Sequence, residues 1–340
     1  MRKLFYLFCV SLLMGSSPPI HAQTPEVKHP ICFDKTPPLR IMKMIPPGER
    51  QRSWENEEVE NHGNPKNRRE RQNDTLPPET DPVLQNHMGR TGSRSPVLNF
   101  AGISNINGVY PPDTEGDVGP DNYFQMVNLS FAIWDKSGNL LYGPADNSTL
   151  WDGFTGPWTG TNDGDPIVIY DQLADRWLAT QFAINTDDGS QWELLALSET
   201  GDPLGSYYRY AYEFDYMPDY PKLAVWSDGY YMSINQFSLG GLSWRGVGAA
   251  VFQRDAMLEG NPDAMMIFFD LGPSSDPFGM LPSDLDGTTP PPEGTPAYFA
   301  YFNDDSWGYT TDHLRIWEFH TDWDTPANST FTESQQITTA

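Results

Sequence analysis

Cysteine is nearly absent: Cys9 and Cys32 are the only two in the chain. Cys9 sits in the opening stretch MRKLFYLFCVSLLMGSSPPIHAQ, which runs from charged (Arg2, Lys3) through an apolar core (Leu4 to Met14) to small residues ending at Ala22. That order predicts a secretory signal peptide over residues 1–22. Once it is removed, Cys32 has no partner within the chain, so a disulfide framework is excluded. Long apolar runs are missing as well. A membrane-spanning helix needs about 18 to 20 apolar residues, and no later segment has them, so no transmembrane segment is expected. The mature chain is expected outside the cytoplasm, secreted or at the cell surface, or in the periplasm.

Positive charge is scarce in the larger part of the chain. Residues 23–95 carry 12 Lys/Arg against 11 Asp/Glu, whereas residues 96–340 carry 7 against 35. An acidic unit of this kind repels nucleic acid and anionic membranes, so neither is expected as a partner. Of those 35 acids 27 are Asp, the residue that suits turns and oxygen-rich cation sites; a heavily solvated surface explains much of the excess. Motif chemistry is also thin. No HExxH, paired cysteines, GxSxG, P-loop or dinucleotide fingerprint occurs, which argues against zinc, serine-hydrolase and nucleotide chemistry.

Residues 23–95 contain Pro37-Pro38, Pro46-Pro47, Pro77-Pro78 and the polar block NHGNPKNRRERQND, with almost no apolar periodicity. This composition predicts a disordered Pro- and charge-rich linker. Beyond Val97 the pattern changes to short β-branched and aromatic runs separated by Gly, Pro, Asp and Asn. GDPIVIYDQLADRWLATQF (164–182) aligns approximately with DYPKLAVWSDGYYMSINQF (219–237), and each is followed by a third and a fourth strand-like run. Four consecutive strands recurring every 50 to 60 residues predict an all-β fold, a β-propeller of four-stranded antiparallel blades over residues 96–340. The template also yields a first blade over 111–143 and a fourth over about 280–334. The polar ending FTESQQITTA offers no apolar closing strand, so the propeller is expected to be incomplete at its C-terminus. Trp134, Trp177, Trp192, Trp226 and Trp317 are expected to pack between blades.

The segments GDVGPDNYFQMVN, GDPIVIYDQLADRWLATQFAI, SETGDPLGSYYRYAYEF, DYPKLAVWSDGYYMSINQF and LRIWEFHTDW resemble a family of exported bacterial propeller-like proteins. Its members continue well past this length, which implies further blades, and it implies no particular activity. NTDDGSQW, Asn185 to Trp192, is similar to the Asp box of sialidase-like propellers, with Gln191 where Thr is usual. That resemblance implies a structural turn in which Asp187 accepts turn amides, Gly189 takes the tight turn and Trp192 packs in the blade.

Two sets of acids stand out. In PPDTEGDVGPDNY, Asp113, Glu115, Asp117 and Asp121 match positions one, three, five and nine of a calcium loop, but Phe124 stands where a calcium hand has its bidentate Glu. A looser Asp-loop calcium site is the expectation there. Asp163, Asp165, Asp219, Asp284 and Asp286 precede innermost strands and can face the central channel. The expected role is a monomeric, acidic, calcium-stabilised module that binds extracellular glycan or protein. The alternative is a glycan-cleaving hydrolase, sialidase-like or another glycosidase, using two channel carboxyls about 5 to 10 Å apart. Asn128, Asn147 and Asn328 begin Asn-x-Ser/Thr sequons.

Overall fold

The computed structural model describes residues 24–54, 96–239, 243–275, 277–307 and 309–339. The expected signal peptide and most of the expected linker, 55–95, lie outside the described residues.

Two short strands come first, β1 (Glu26–Lys28) and β2 (Cys32–Lys35). The propeller blades follow. Blade 1 is β3 (Glu115–Val118), β4 (Asn122–Val127), β5 (Ser130–Asp135) and β6 (Leu140–Asp146). Blade 2 is β7 (Gly164–Asp171), β8 (Arg176–Ile184), β9 (Gln191–Ser198) and β10 (Tyr207–Phe214). Blade 3 is β11 (Met217–Val225), β12 (Tyr230–Ser238), β13 (Ser243–Phe252) and β14 (Met266–Asp270). Blade 4 is β15 (Leu281–Pro282), β16 (Ala297–Asn303), β17 (His313–His320) and β18 (Thr330–Thr338). Each blade pairs its four strands antiparallel in chain order, first strand innermost. The polar ending belongs to blade 4: β18 pairs with β17 along its length, and only its Phe331 is buried.

The sequence of each strand follows from where its blade sits. β9, QWELLALS, is buried at every position because blade 2 is covered on both faces by its neighbours. Such a strand carries a continuous apolar run rather than an alternating one. Three apolar wedges fill the gaps. Between blades 1 and 2, the fully buried Trp177 ring lies 4.9 Å from Tyr170 and 5.8 Å from Phe124. Tyr210, Tyr212, Tyr230 and Phe252 fill the next. Phe269, Phe299, Phe319 and Phe331 with Trp226 and Trp317 fill the last. A charged pair ties blades 2 and 3 together. Arg254, opening the short helix α1 (Arg254–Leu258), donates to both oxygens of fully buried Asp171 at 2.7 and 3.1 Å, and Tyr230 Oη donates to the same carboxylate at 2.9 Å.

The linker expectation is corrected over residues 24–54, which are folded onto the propeller. β1 adds a fifth strand to blade 3 beside β14, and β2 adds one to blade 2 beside β10. Arg209 anchors this arm with two bonds to Asp34, at 2.8 and 2.7 Å. Leu39 is fully buried in the wedge between blades 1 and 2. Asp146 then accepts the amides of Gly48 and Arg50 at 2.8 and 2.9 Å. The sequence hides this because the stabilising partners lie about 100 to 240 residues away and the arm's own strands are three and four residues long.

The NTDDGSQW turn joins β8 to β9 with Gly189 at φ +79° and Trp192 buried beside Trp158. The carboxylate that accepts turn groups is Asp188, not Asp187: its Oδ1 takes the Ser190 amide at 2.9 Å and the Ser190 hydroxyl at 2.6 Å. Asp187 is exposed and uses its amide to bond Asn185 Oδ1.

Candidate active site

The inner strands β3, β7 and β11 run side by side, so whatever precedes each of them gathers at one end of the channel. Residues 113, 165 and 219 come from three different blades in this way. A shared irregularity aims them. The pairing of β7 with β8 breaks between Gly164 and Ile167, and that of β11 with β12 breaks between Asp219 and Lys222. Such a bulge re-aims side chains at a sheet's rim. In both cases the residue before a proline takes a left-handed backbone, Asp165 at φ +45° and Tyr220 at φ +51°, and Asp113 does the same at φ +38°. A non-glycine residue in that region costs about 1–3 kcal/mol and is held there only by its surroundings.

Asn128 supplies much of that hold. Its Nδ2 donates to Asp113 Oδ2 at 2.7 Å and to Asp165 Oδ1 at 3.1 Å, while its Oδ1 accepts the Asp165 amide at 3.2 Å. The other oxygen of Asp165 accepts the Tyr220 amide at 3.2 Å. Asn128 thus bridges the Asp113 and Asp165 carboxyls. Burial, then the charge of Asp165, pushes the Asp113 carboxyl up to about 7. Asp219 is raised well above the ordinary range by burial, then by the charges of Asp165 and Asp113. All three keep some solvent-exposed surface, so the cluster is sunken but reachable. Among the described residues, the only three carboxylates with oxygens all within 4.8 Å of one another are Asp304, Asp305 and Asp312, in a loop beyond β16. The channel trio is spread more widely than that.

Other expected site residues go elsewhere. Asp163 is buried and accepts the amides of Ser53 and Ile184 at 2.7 and 2.9 Å, so it fastens the N-terminal arm. Asp284 bonds the Val225 amide at 2.7 Å, at the far end of β11, and Asp286 is its exposed neighbour there. Neither joins the trio. The four acids of the expected calcium loop are likewise distributed. Asp113 turns to Asn128 and Asp165, Glu115 pairs with Lys222 at 3.5 Å, Asp117 Oδ2 accepts the Tyr170 amide at 2.7 Å, and Asp121 is exposed. The alternation of β3 sends Glu115 and Asp117 to one side, but each of the four meets a different environment.

Sequence reasoning missed Asn128, Arg52, Tyr220 and Glu193. Arg52 lies in the arm, with its guanidinium among Asp165, Asp113, Asp163 and Asp219 and 5.0 Å from the Trp54 ring. Tyr220 keeps 41% of its surface exposed beside Asp165, and Lys222 Nζ lies 4.2 Å from its ring centre. Glu193 is fully buried opposite Phe182, and neither of its carboxyl oxygens has a hydrogen-bond partner. Burial first, and the charge of Asp165 last, push its carboxyl well above the usual range. One signal for it was available: it is the only acid in the otherwise uncharged QWELLALS.

No protein-family model matches the chain, and no curated protein matches it, so sequence comparison adds no support to the exported-family or Asp-box resemblances. Among solved structures it is similar to a GH32 β-fructofuranosidase of Bombyx mori, at 13% identity and a TM-score of 0.37, over 65% of this chain and 50% of that one. It is also similar to a GH43_1 enzyme of Xanthomonas citri complexed with xylose, at 13% identity and a TM-score of 0.32, over 68% and 75%. An α-L-arabinanase of Penicillium chrysogenum complexed with arabinobiose aligns at 12% identity and a TM-score of 0.33, over 66% and 67%. This chain spans half the length of the first of these proteins, and similarities at this level say nothing about its own activity.

Proposed function

We propose that this chain is an exported hydrolase that cleaves glycosidic bonds by general acid–base catalysis at the Asp113, Asp165 and Asp219 cluster. The observation that supports it most is the convergence of three carboxyls from three blades, two of them bridged by Asn128. Carboxyls whose surroundings separate their proton affinities are what acid–base chemistry at one site requires. In this reading Asp219, kept protonated by burial, donates to the leaving oxygen. The Asp113–Asp165 pair supplies the carboxylate that acts on water or on the sugar carbon, with Asn128 and the Tyr220 amide holding it in place. The exposed Tyr220 ring beside the acids gives a sugar a flat apolar surface to rest on.

Asp219→Asn should lose at least about a hundredfold in rate on unactivated glycans and recover on aryl glycosides whose leaving group needs no proton. Asp165→Asn should lose activity on both. A wild-type protein inactive on a broad glycan panel that still binds a glycan array would overturn the hydrolase and support the binding-module reading.

A further inference from the structure

The N-terminal arm does more than brace the blades. Its last described turn is fixed against the channel end: the Ser53 amide and hydroxyl bond Asp163 Oδ1 and the Ile184 carbonyl at 2.7 and 2.5 Å, and the Asn162 amide bonds the Gln51 carbonyl at 3.0 Å. Between these anchors Arg52 is directed inward. Gly164 makes the space for it. That residue sits at φ +140°, and a Cβ there would lie 3.1 Å from Arg52 Nη2 and 2.9 Å from Asn128 Oδ1.

We infer that Arg52 is a positioning residue of the carboxyl cluster, delivered by the arm, whose fixed positive charge keeps part of the cluster ionised. The inference rests on the reading of that site as the working centre, but its test needs no substrate. Three elements meet the guanidinium: Asp113 ahead of β3, Asp163 and Asp165 at the start of β7, and Asp219 on β11. The other titratable groups nearby are Lys222, which pairs with Glu115, and Glu193, buried on β9 near Asp165. Burial favours the neutral form of Asp113, Asp163 and Asp219, and at Asp219 the Arg52 charge opposes it. A single fixed cation allows one carboxylate to stay charged beside a protonated one.

The test compares thermal unfolding of wild type, Arg52→Gln and Arg52→Lys at pH 4.5 and pH 8. At pH 4.5 the raised carboxyls are protonated and the charge of residue 52 has little to stabilise. At pH 8 the Asp113 carboxyl, pushed up to about 7, is ionised, and the loss of the residue 52 charge is felt in full. Arg52→Gln should therefore lose at least twice as much in Tm at pH 8 as at pH 4.5. Arg52→Lys keeps the charge and should follow the wild-type pH dependence, even if lost contact with Trp54 lowers its Tm equally at both pH values. Equal losses for Arg52→Gln at the two pH values, or a pH-dependent loss in Arg52→Lys, would overturn the inference. If Arg52→Gln does not fold, the lysine variant alone decides. Failure of the glycan assays leaves this result standing, because it reads protons rather than products.

Discussion

Asp113→Asn should stabilise the protein at alkaline pH while abolishing its activity. In the wild type the Asp113 carboxyl titrates near 7 rather than at 3.8. Its folded pKa is raised, so the stability it contributes is fully present below about pH 4 and is lost as pH rises through 7. At about 1.4 kcal/mol per pH unit the ceiling on that loss is about 4 kcal/mol. The carboxyl is partly open to water, and screening cuts the figure to about 2 kcal/mol. Asparagine has the same shape, can still accept the Asn128 amide and cannot ionise. Like aspartate, it tolerates the left-handed backbone at this position. The charge term is the difference between two conditions. Scanning calorimetry should show Asp113→Asn gaining about 4–8 °C more over wild type at pH 8.5 than at pH 4.5. A gain of the same size at both pH values, or none at pH 8.5, would refute the account of the cluster as an ionisation-strained site.

Trp177→Ala removes the ring that fills the wedge between blades 1 and 2 and should cost about 3–5 kcal/mol in urea unfolding; a cost below about 1 kcal/mol would mean the wedge is not the seam it looks to be. Arg254→Ala leaves Asp171 charged and buried and should cost a similar amount, about 3–5 kcal/mol, whereas Arg254→Met with Asp171→Leu should regain most of it. Asp117→Asn should lower Tm alike in EDTA and in millimolar calcium, because its carboxylate serves the Tyr170 amide; a loss confined to calcium buffer would support the cation reading of that loop. In a host that glycosylates sequons, peptide mapping of the folded protein should find sugar on exposed Asn328 and none on fully buried Asn128 or Asn147.

The blades were legible because the middle strands are short β-branched and aromatic runs, most continuously buried in blade 2, where β9 is covered at every position. The repeat of GDPIVIYD and DYPKLAVW marked the inner strands and placed Asp165 and Asp219 at their starts. Asp113 was visible too, but spacing along one chain suggested a calcium loop, whereas its partners lie on other blades. Asp163 shows the limit of the method. It is two residues from Asp165 and identical in type, yet a bulge and a left-handed residue separate a buried clamp from a channel carboxyl. Neither Arg52 nor β1 and β2 could be read, because a short polar segment gains its order from edges that its own sequence does not describe.

The arm also sets an order of events. Lys28 meets the Glu213 carbonyl and the Asp215 carboxylate across a separation of more than 180 residues, so the first described strand cannot dock until blades 2 and 3 exist. Contacts of such long range form late and slow a chain's folding. Arg52 travels with this segment, so the acids of blades 2 and 3 gain their counter-charge only when the strands that hold the arm are already in place.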